Sequence, residues 1–283
     1  MSDRVTATTA LSAAFAKAGA EDRAVLVGYL PAGFPSADGA ISAATAMVEA
    51  GVDVVEIGLP YSDPLMDGPT IQEAVHRALL GGTRTLDVLH TVEAVARTGA
   101  PTLVMTYWNP VEAYGVQPFA RDLAAAGGAG VITPDLVPEE AGPWLEAAGA
   151  AGLDPIFLVA PSSTDARVAL VASVTRGFVY AASTMGVTGT RGQVSGRAAE
   201  LVSRVRAHTE LPVAVGLGVS SREQAAEVAS FADGVIVGSA FVSRLLGAGT
   251  ETGGVADGVA GVRELAVQLA EGVRARSAGR VGT

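Results

Sequence analysis

A chain of 283 residues that is 49% hydrophobic and 17% charged, with a mean hydropathy of +0.38, has material for a large core and is too apolar for disorder. A net charge of −10 argues against a nucleic-acid partner, and the lack of any cysteine excludes disulfides, thiolate metal sites and thiol nucleophiles. No apolar run reaches the roughly 18 residues of a membrane span and no apolar signal core follows Met1, so a cytoplasmic protein is expected. A helical pattern around Leu11 opens the chain and carries Lys17, the single lysine. Apolar runs at residues 24–30, 53–59, 102–107, 130–133, 155–159, 178–181, 212–215 and 234–237 follow, eight in all. They read as near-continuous Val, Ile, Leu and Phe, as parallel strands covered on both faces do. Helical patterns lie between them, for example over 38–50, 139–150 and 221–231.

Eight such alternations predict an α/β fold, a single (β/α)8 TIM barrel with an extra N-terminal helix and short extra helices in its loops. An open doubly wound sheet is the alternative. No linker divides the chain, so 1–283 reads as one barrel domain, ordered over about 9–275 and frayed over 276–283. Three segments break the pattern: a Pro-rich stretch from Pro60 to Pro69, a Gly-rich stretch over 183–193, and Gly238-Ser239 at the start of a short helical pattern. A second Gly-rich stretch, 247–258, precedes a last amphipathic helix over 259–275. In a parallel barrel the loops after the strands build the active site.

Glu56 stands out because it interrupts the apolar run Val54-Val55-Glu56-Ile57-Gly58. With period 2, Val55 and Ile57 face the helices and Glu56 faces the barrel interior near its upper end. A buried carboxylate must be paired with an arginine or backbone donors, or have its pKa raised. Asp67 lies 11 residues on, in the loop leaving the same strand. It reads either as a turn residue or as a second carboxylate across a substrate, and two carboxylates in unlike settings can divide acid and base roles. Pro69 suits a first helical turn, and Thr70 with Glu73 has capping-box spacing. Backbone amides at Gly189, Gly216, Gly218 and Gly238-Ser239 could hold a phosphate, with ordinary tight turns as the other reading. Tyr29, Tyr107 and Tyr180 fall at strand ends and suit a flat apolar ligand. Lys17 is remote from any strand end, and His76, His90 and His208 sit in helical stretches without ligand spacing. Schiff-base and histidine-metal chemistry are therefore not expected, and no metal is. Arg204 and Arg206 read as solvated helix faces.

The segment Val55-Glu56-Ile57-Gly58-Leu59-Pro60-Tyr61-Ser62-Asp63-Pro64-Leu65-Met66-Asp67-Gly68-Pro69-Thr70-Ile71-Gln72 resembles the signature of the tryptophan synthase α-subunit family. So do Met105-Thr106-Tyr107-Trp108-Asn109-Pro110, the stretch from Thr133 to Glu140, Gly186-Val187-Thr188-Gly189, Gly216-Leu217-Gly218 and Gly238-Ser239. The resemblance implies a barrel lyase that cleaves indole-3-glycerol phosphate to indole and glyceraldehyde 3-phosphate. It implies no cofactor in this chain and a pyridoxal-phosphate-bearing β-subunit partner in an α2β2 complex. By position, Glu56 is the acid/base and Asp67 the acceptor of the indole N–H. Tyr180 lies near Glu56 and the glycerol chain, and Gly189, Gly218, Gly238 and Ser239 hold the phosphate. Thr188 closes against Asp67, and Tyr29, Tyr107, Leu217 and Ile236 line the indole pocket. Pro60, Asp63, Pro64 and Asn109 face the partner. Departures are Thr184-Met185, where relatives have Arg and a small residue, and Tyr29 and Leu217, where phenylalanine is frequent. Two other functions fit a barrel with these carboxylates: a sugar-phosphate isomerase, for which twofold internal similarity is missing, and a non-catalytic activating subunit.

Overall fold

Nine strand segments form one all-parallel sheet that closes on itself. They are β1 (Val25–Pro31), β2 (Val54–Gly58), β3 (Thr102–Met105), β4 (Gly130–Ile132), β5 (Asp154–Ile156), β6 (Leu158–Val159), β7 (Val179–Ala182), β8 (Val213–Gly216) and β9 (Gly234–Val237). The computed structural model describes residues 9–182, 191–248 and 254–275. The strand order is β5-β4-β3-β2-β1-β9-β8-β7-β6, so the two outermost segments are β5 and β6. Only Phe157 separates them, and its carbonyl accepts the Tyr180 N–H at 3.2 Å. They are one strand with a kink, and the eight apolar runs of the sequence make an eight-stranded barrel.

Period 2 sorts the side chains. Val25, Val27, Val54, Leu103, Ile132, Ile156, Ala214 and Ile236 pack together inside the barrel. Val55, Ile57, Val104, Val131, Val179, Val215 and Val235 face outward onto the helices. Helix α1 (Ala10–Ala20) plugs the N-terminal end of the barrel with Leu11, Phe15 and Ala18, the Phe15 ring lying 5.4 Å from that of Phe178. Outside run α2 (Ala37–Glu49), α3 (Pro69–Leu80), α4 (Thr85–Ala96), α5 (Trp108–Tyr114), α6 (Val116–Ala125), α7 (Gly142–Ala151), α8 (Asp165–Val174), α9 (Arg191–Arg206), α10 (Arg222–Ala229), α11 (Ser239–Gly247) and α12 (Gly254–Arg274). Hydroxyl side chains of Thr9, Ser36, Thr164 and Ser221 cap α1, α2, α8 and α10.

The structure corrects several local expectations. The capping box on Thr70 and Glu73 does not form: Gly68 is the N-cap of α3, Pro69 takes the first turn, and Glu73 instead pairs with Arg77 at 2.7 Å. Helix α7 starts at Gly142 rather than 139, with Pro143 in its first turn. Arg204 is half-buried rather than solvated and binds Asp165 at 2.9 Å and the carbonyl of Ser163, whereas Arg206 is exposed and also binds Asp233 at 2.9 Å. His208 lies in the turn after α9 rather than within a helix.

A structural arginine does exist, but at the N-terminal end of the barrel. Arg23 makes two hydrogen bonds to Asp53, at 2.7 and 2.9 Å, and one to Glu21 at 2.6 Å. Asp53 also accepts the Leu26 N–H at 2.9 Å, so it ties the starts of β1 and β2 together. Arg23→Ala is expected to lower unfolding free energy by roughly 2 kcal/mol, because it leaves a mostly buried carboxylate without its cation. Urea unfolding measures this, and turnover at the opposite end of the barrel stays at the wild-type level.

Candidate active site

At the C-terminal end of the strands a cavity of about 180 Å³ opens between the β2, β7, β8 and β9 exits. Glu56 reaches into it from β2. Its residue is 1% exposed, and among the described residues its Oε2 has no hydrogen-bond partner. Among the described residues no arginine is bonded to it, which speaks against the satisfied-carboxylate reading. Burial, and then the charge of Asp67, push its pKa up to about 8. Asp67 enters from the loop between β2 and α3, and burial pushes it up to about 6. The site therefore holds two carboxyls whose protonation states differ at neutral pH.

The cavity walls come from strand ends. Tyr29 on β1 stands in register with Glu56 on β2, so both side chains face inward. The phenol of Tyr29 lies over Gly58, where a Cβ would come 2.3 Å from its Oη. Tyr180 lies over Gly216 in the same way, with 2.8 Å between a Cβ there and its Oη. Glycine at these two positions is what lets the rings tilt across the barrel mouth. Tyr29 is buried and Tyr180 half-buried beside Glu56 and Asp67, and desolvation and those carboxyls hold both phenols well above the usual range, so they stay neutral.

The opposite wall is backbone. Gly216 and Gly218 at the β8 exit and Gly238 and Ser239 at the β9 exit line the cavity. Gly218 has φ +64°, a left-handed conformation that favours glycine. Helix α11 begins at Ser239 and no side chain caps its N-terminus, so its first-turn amides and positive dipole end face the cavity. An anion is suited to that end of the site, and the carboxyls to the other.

Of the residues expected from sequence, Tyr29, Glu56, Asp67, Tyr180, Gly218, Ile236, Gly238 and Ser239 converge on this cavity. Thr188 and Gly189, with Thr184 and Met185, lie outside the described residues. Leu217 and Tyr107 do not line it. Leu217 packs half-buried against the outer core, and Tyr107 accepts the Met66 N–H at 2.9 Å. Asp63 and Asn109 are exposed and Pro64 is half-buried, but Pro60 is buried under the loop and offers no surface to a partner. Met66, Ile71, Met105 and Leu158 complete the apolar lining and were not anticipated. The inward period of β3 and β6 would have found Met105 and Leu158.

A larger cavity, about 950 Å³, lies at the other end of the barrel beside α1. Two of its acids are committed: the buried Asp154 accepts from Thr9 at 2.7 Å, and the half-buried Asp233 accepts from the Val213 N–H and from Arg206. Among the described residues no three His, Cys, Asp or Glu side chains gather as metal ligands, and no helix is long and apolar enough to cross a membrane. Lys17 is exposed on α1, far from the carboxyl pair.

A family model described as tryptophan synthase alpha chain matches residues 15–270. The tryptophan synthase alpha chain of Salinispora tropica is 61% identical over 93% of this chain and 97% of its own length. That of Thermobifida fusca is 59% identical over 94% of this chain and 98% of its own. Among solved structures, tryptophan synthase from M. tuberculosis in its aminoacrylate-bound form aligns with a TM-score of 0.85 and 51% identity, covering 94% of this chain and 99% of that one. The alpha chain from Legionella pneumophila aligns with a TM-score of 0.84 at 30% identity, covering 98% of this chain and 100% of that one.

Proposed function

This chain belongs to the tryptophan synthase α chain family, and from that premise we propose how its carboxyl pair carries out the family's reaction. The chain is a lyase of tryptophan biosynthesis that cleaves indole-3-glycerol phosphate to indole and glyceraldehyde 3-phosphate. One observation carries the proposal: Glu56 is buried, has no partner on Oε2 among the described residues, and lies near Asp67 with its pKa pushed up to about 8.

Bound substrate would place its phosphate at Gly218, Gly238 and Ser239 and its indole beneath the Tyr29 ring. Glu56 is protonated at neutral pH and gives its proton to indole C3, which leaves a cation delocalised onto the ring nitrogen. Asp67, mostly ionised above pH 6, accepts the N–H hydrogen bond and stabilises that cation. The ionised Glu56 then takes the proton of the glycerol hydroxyl next to the ring. The carbon–carbon bond breaks, its electron pair returns to the ring, and the glycerol fragment leaves as an aldehyde. Glu56 ends the cycle protonated, and the proton count closes without a Schiff base or a metal.

Tyr180 would hold the glycerol chain near Glu56. Thr188 and Gly189 would complete the phosphate end, and Leu217 would support the indole wall from behind. The partner we propose is a β subunit carrying pyridoxal phosphate, in an α2β2 complex, approached by the exposed Asp63 and Asn109 with Pro64. The whole chain would act as one barrel domain in the cytoplasm.

The test is indole release from indole-3-glycerol phosphate by the purified chain, with and without added β subunit. Slow release alone and faster release with the partner are expected, because a partner that favours the closed loops raises turnover by population shift. No release under either condition would overturn the reading.

A further inference from the structure

Asp67 sits on a loop whose crest is open to solvent. Leu65 is 91% exposed, and Ser62 and Asp63 are exposed beside it. Two side chains grip the backbone on either side of the carboxylate. Before it, the Met66 N–H donates to Tyr107 Oη at 2.9 Å. After it, the Asp67 carbonyl accepts from Gln72 Nε2 at 2.8 Å. Gln72 belongs to the helix the loop leads into and moves with it. Tyr107 is anchored elsewhere, just beyond the end of β3, the strand that pairs with β2. It is 6% exposed, its ring packs 5.4 Å from that of Tyr61, and Asn109 Nδ2 donates to Tyr61 Oη at 3.3 Å.

We propose that Tyr107 is a positioning residue: its hydroxyl latches the Met66 amide to the barrel frame and so fixes the carboxylate of Asp67 over the substrate. The inference rests on the assignment of Asp67 above. Tyr107 lines no part of the cavity, so its effect on the reaction passes through the loop. Burial pushes its pKa up to about 12, so the latch is a neutral phenol at every working pH. A carboxylate that must meet a charge developing on the ring nitrogen is sensitive to placement. A displacement of about 1 Å costs up to 10²-fold in rate. The loss falls on the transition state more than on ground-state binding, because the charge is absent before proton transfer.

The experiment is Tyr107→Phe, which keeps the ring and its packing on Tyr61 and removes one oxygen. Indole release from indole-3-glycerol phosphate is measured for wild type, Tyr107→Phe and Asp67→Asn, with melting temperatures. The expected result is a kcat about ten- to a hundredfold below wild type, KM within about threefold, and a melting temperature within about 2 °C. An unchanged kcat in Tyr107→Phe overturns the latch, and so does a loss carried by KM or by a lowered melting temperature. If Asp67→Asn is inactive while Tyr107→Phe behaves as wild type, only the latch fails. If Asp67→Asn turns over normally, the assignment of Asp67 fails first.

Discussion

Glu56→Gln is expected to lower the rate of indole release by 10³-fold or more while leaving the barrel folded. A carboxyl that is 1% exposed, with one oxygen unbonded among the described residues and a pKa pushed up to about 8, holds a proton at neutral pH and can release it only to a group inside the cavity. Glutamine has the same shape and can hydrogen-bond, but it can neither give nor take that proton. General acid–base catalysis contributes about 10²–10⁴-fold, and here one side chain serves both proton transfers, so the loss lies toward the upper part of that range. Neither phenol replaces it, since Tyr29 and Tyr180 are held above the usual range and are too weak as acids. Asp67 remains but faces the ring nitrogen. Steady-state indole assays across pH 6–9 measure the effect. A variant within tenfold of wild type would show that the proton travels another way.

Much of the barrel was legible because parallel strands covered on both faces give uninterrupted apolar runs. All eight runs are strand, with ends shifted by at most two residues. Glu56 was legible for the same reason in reverse, as one charged residue in such a run. What stayed hidden depends on partners without a side-chain signature. Tyr107 looked like a third pocket aromatic, yet its partner is the backbone amide of Met66, 41 residues away. The resemblance puts Pro60 on the partner-facing loop, but its side chain is buried. Thr70 and Glu73 have capping-box spacing, but the N-cap falls two residues earlier, at Gly68 before Pro69, and Glu73 pairs with Arg77. Local spacing proposes such contacts, and tertiary geometry decides among them.

The same Glu56→Gln substitution should stabilise the protein in alkali, and this separates a strained catalytic acid from a structural one. In the unfolded chain Glu56 ionises near 4.5, whereas in the folded barrel burial and the nearby Asp67 hold it protonated up to about 8. Between those values the folded state binds the extra proton, so raising the pH removes stability. The contribution is fully present below about pH 4.5 and is lost as pH rises through 8. At about 1.4 kcal/mol for each pH unit of that window the ceiling is near 5 kcal/mol, and access of water at the cavity mouth brings the expected value to roughly 3 kcal/mol. Glutamine does not titrate. The variant should therefore unfold at nearly the wild-type denaturant concentration at pH 5 and be more stable than wild type by roughly 3 kcal/mol at pH 9. Asp67, pushed up to about 6, adds a slope of the same sign to both proteins and largely cancels in the difference. Had Glu56 been paired with an arginine, as Asp53 is with Arg23, the sign would reverse and the variant would be the weaker protein at pH 9. Equal stability of the two proteins at both pH values would mean that the folded barrel imposes no cost on the ionised carboxylate. The proton that the cleavage mechanism draws on would then not be held there.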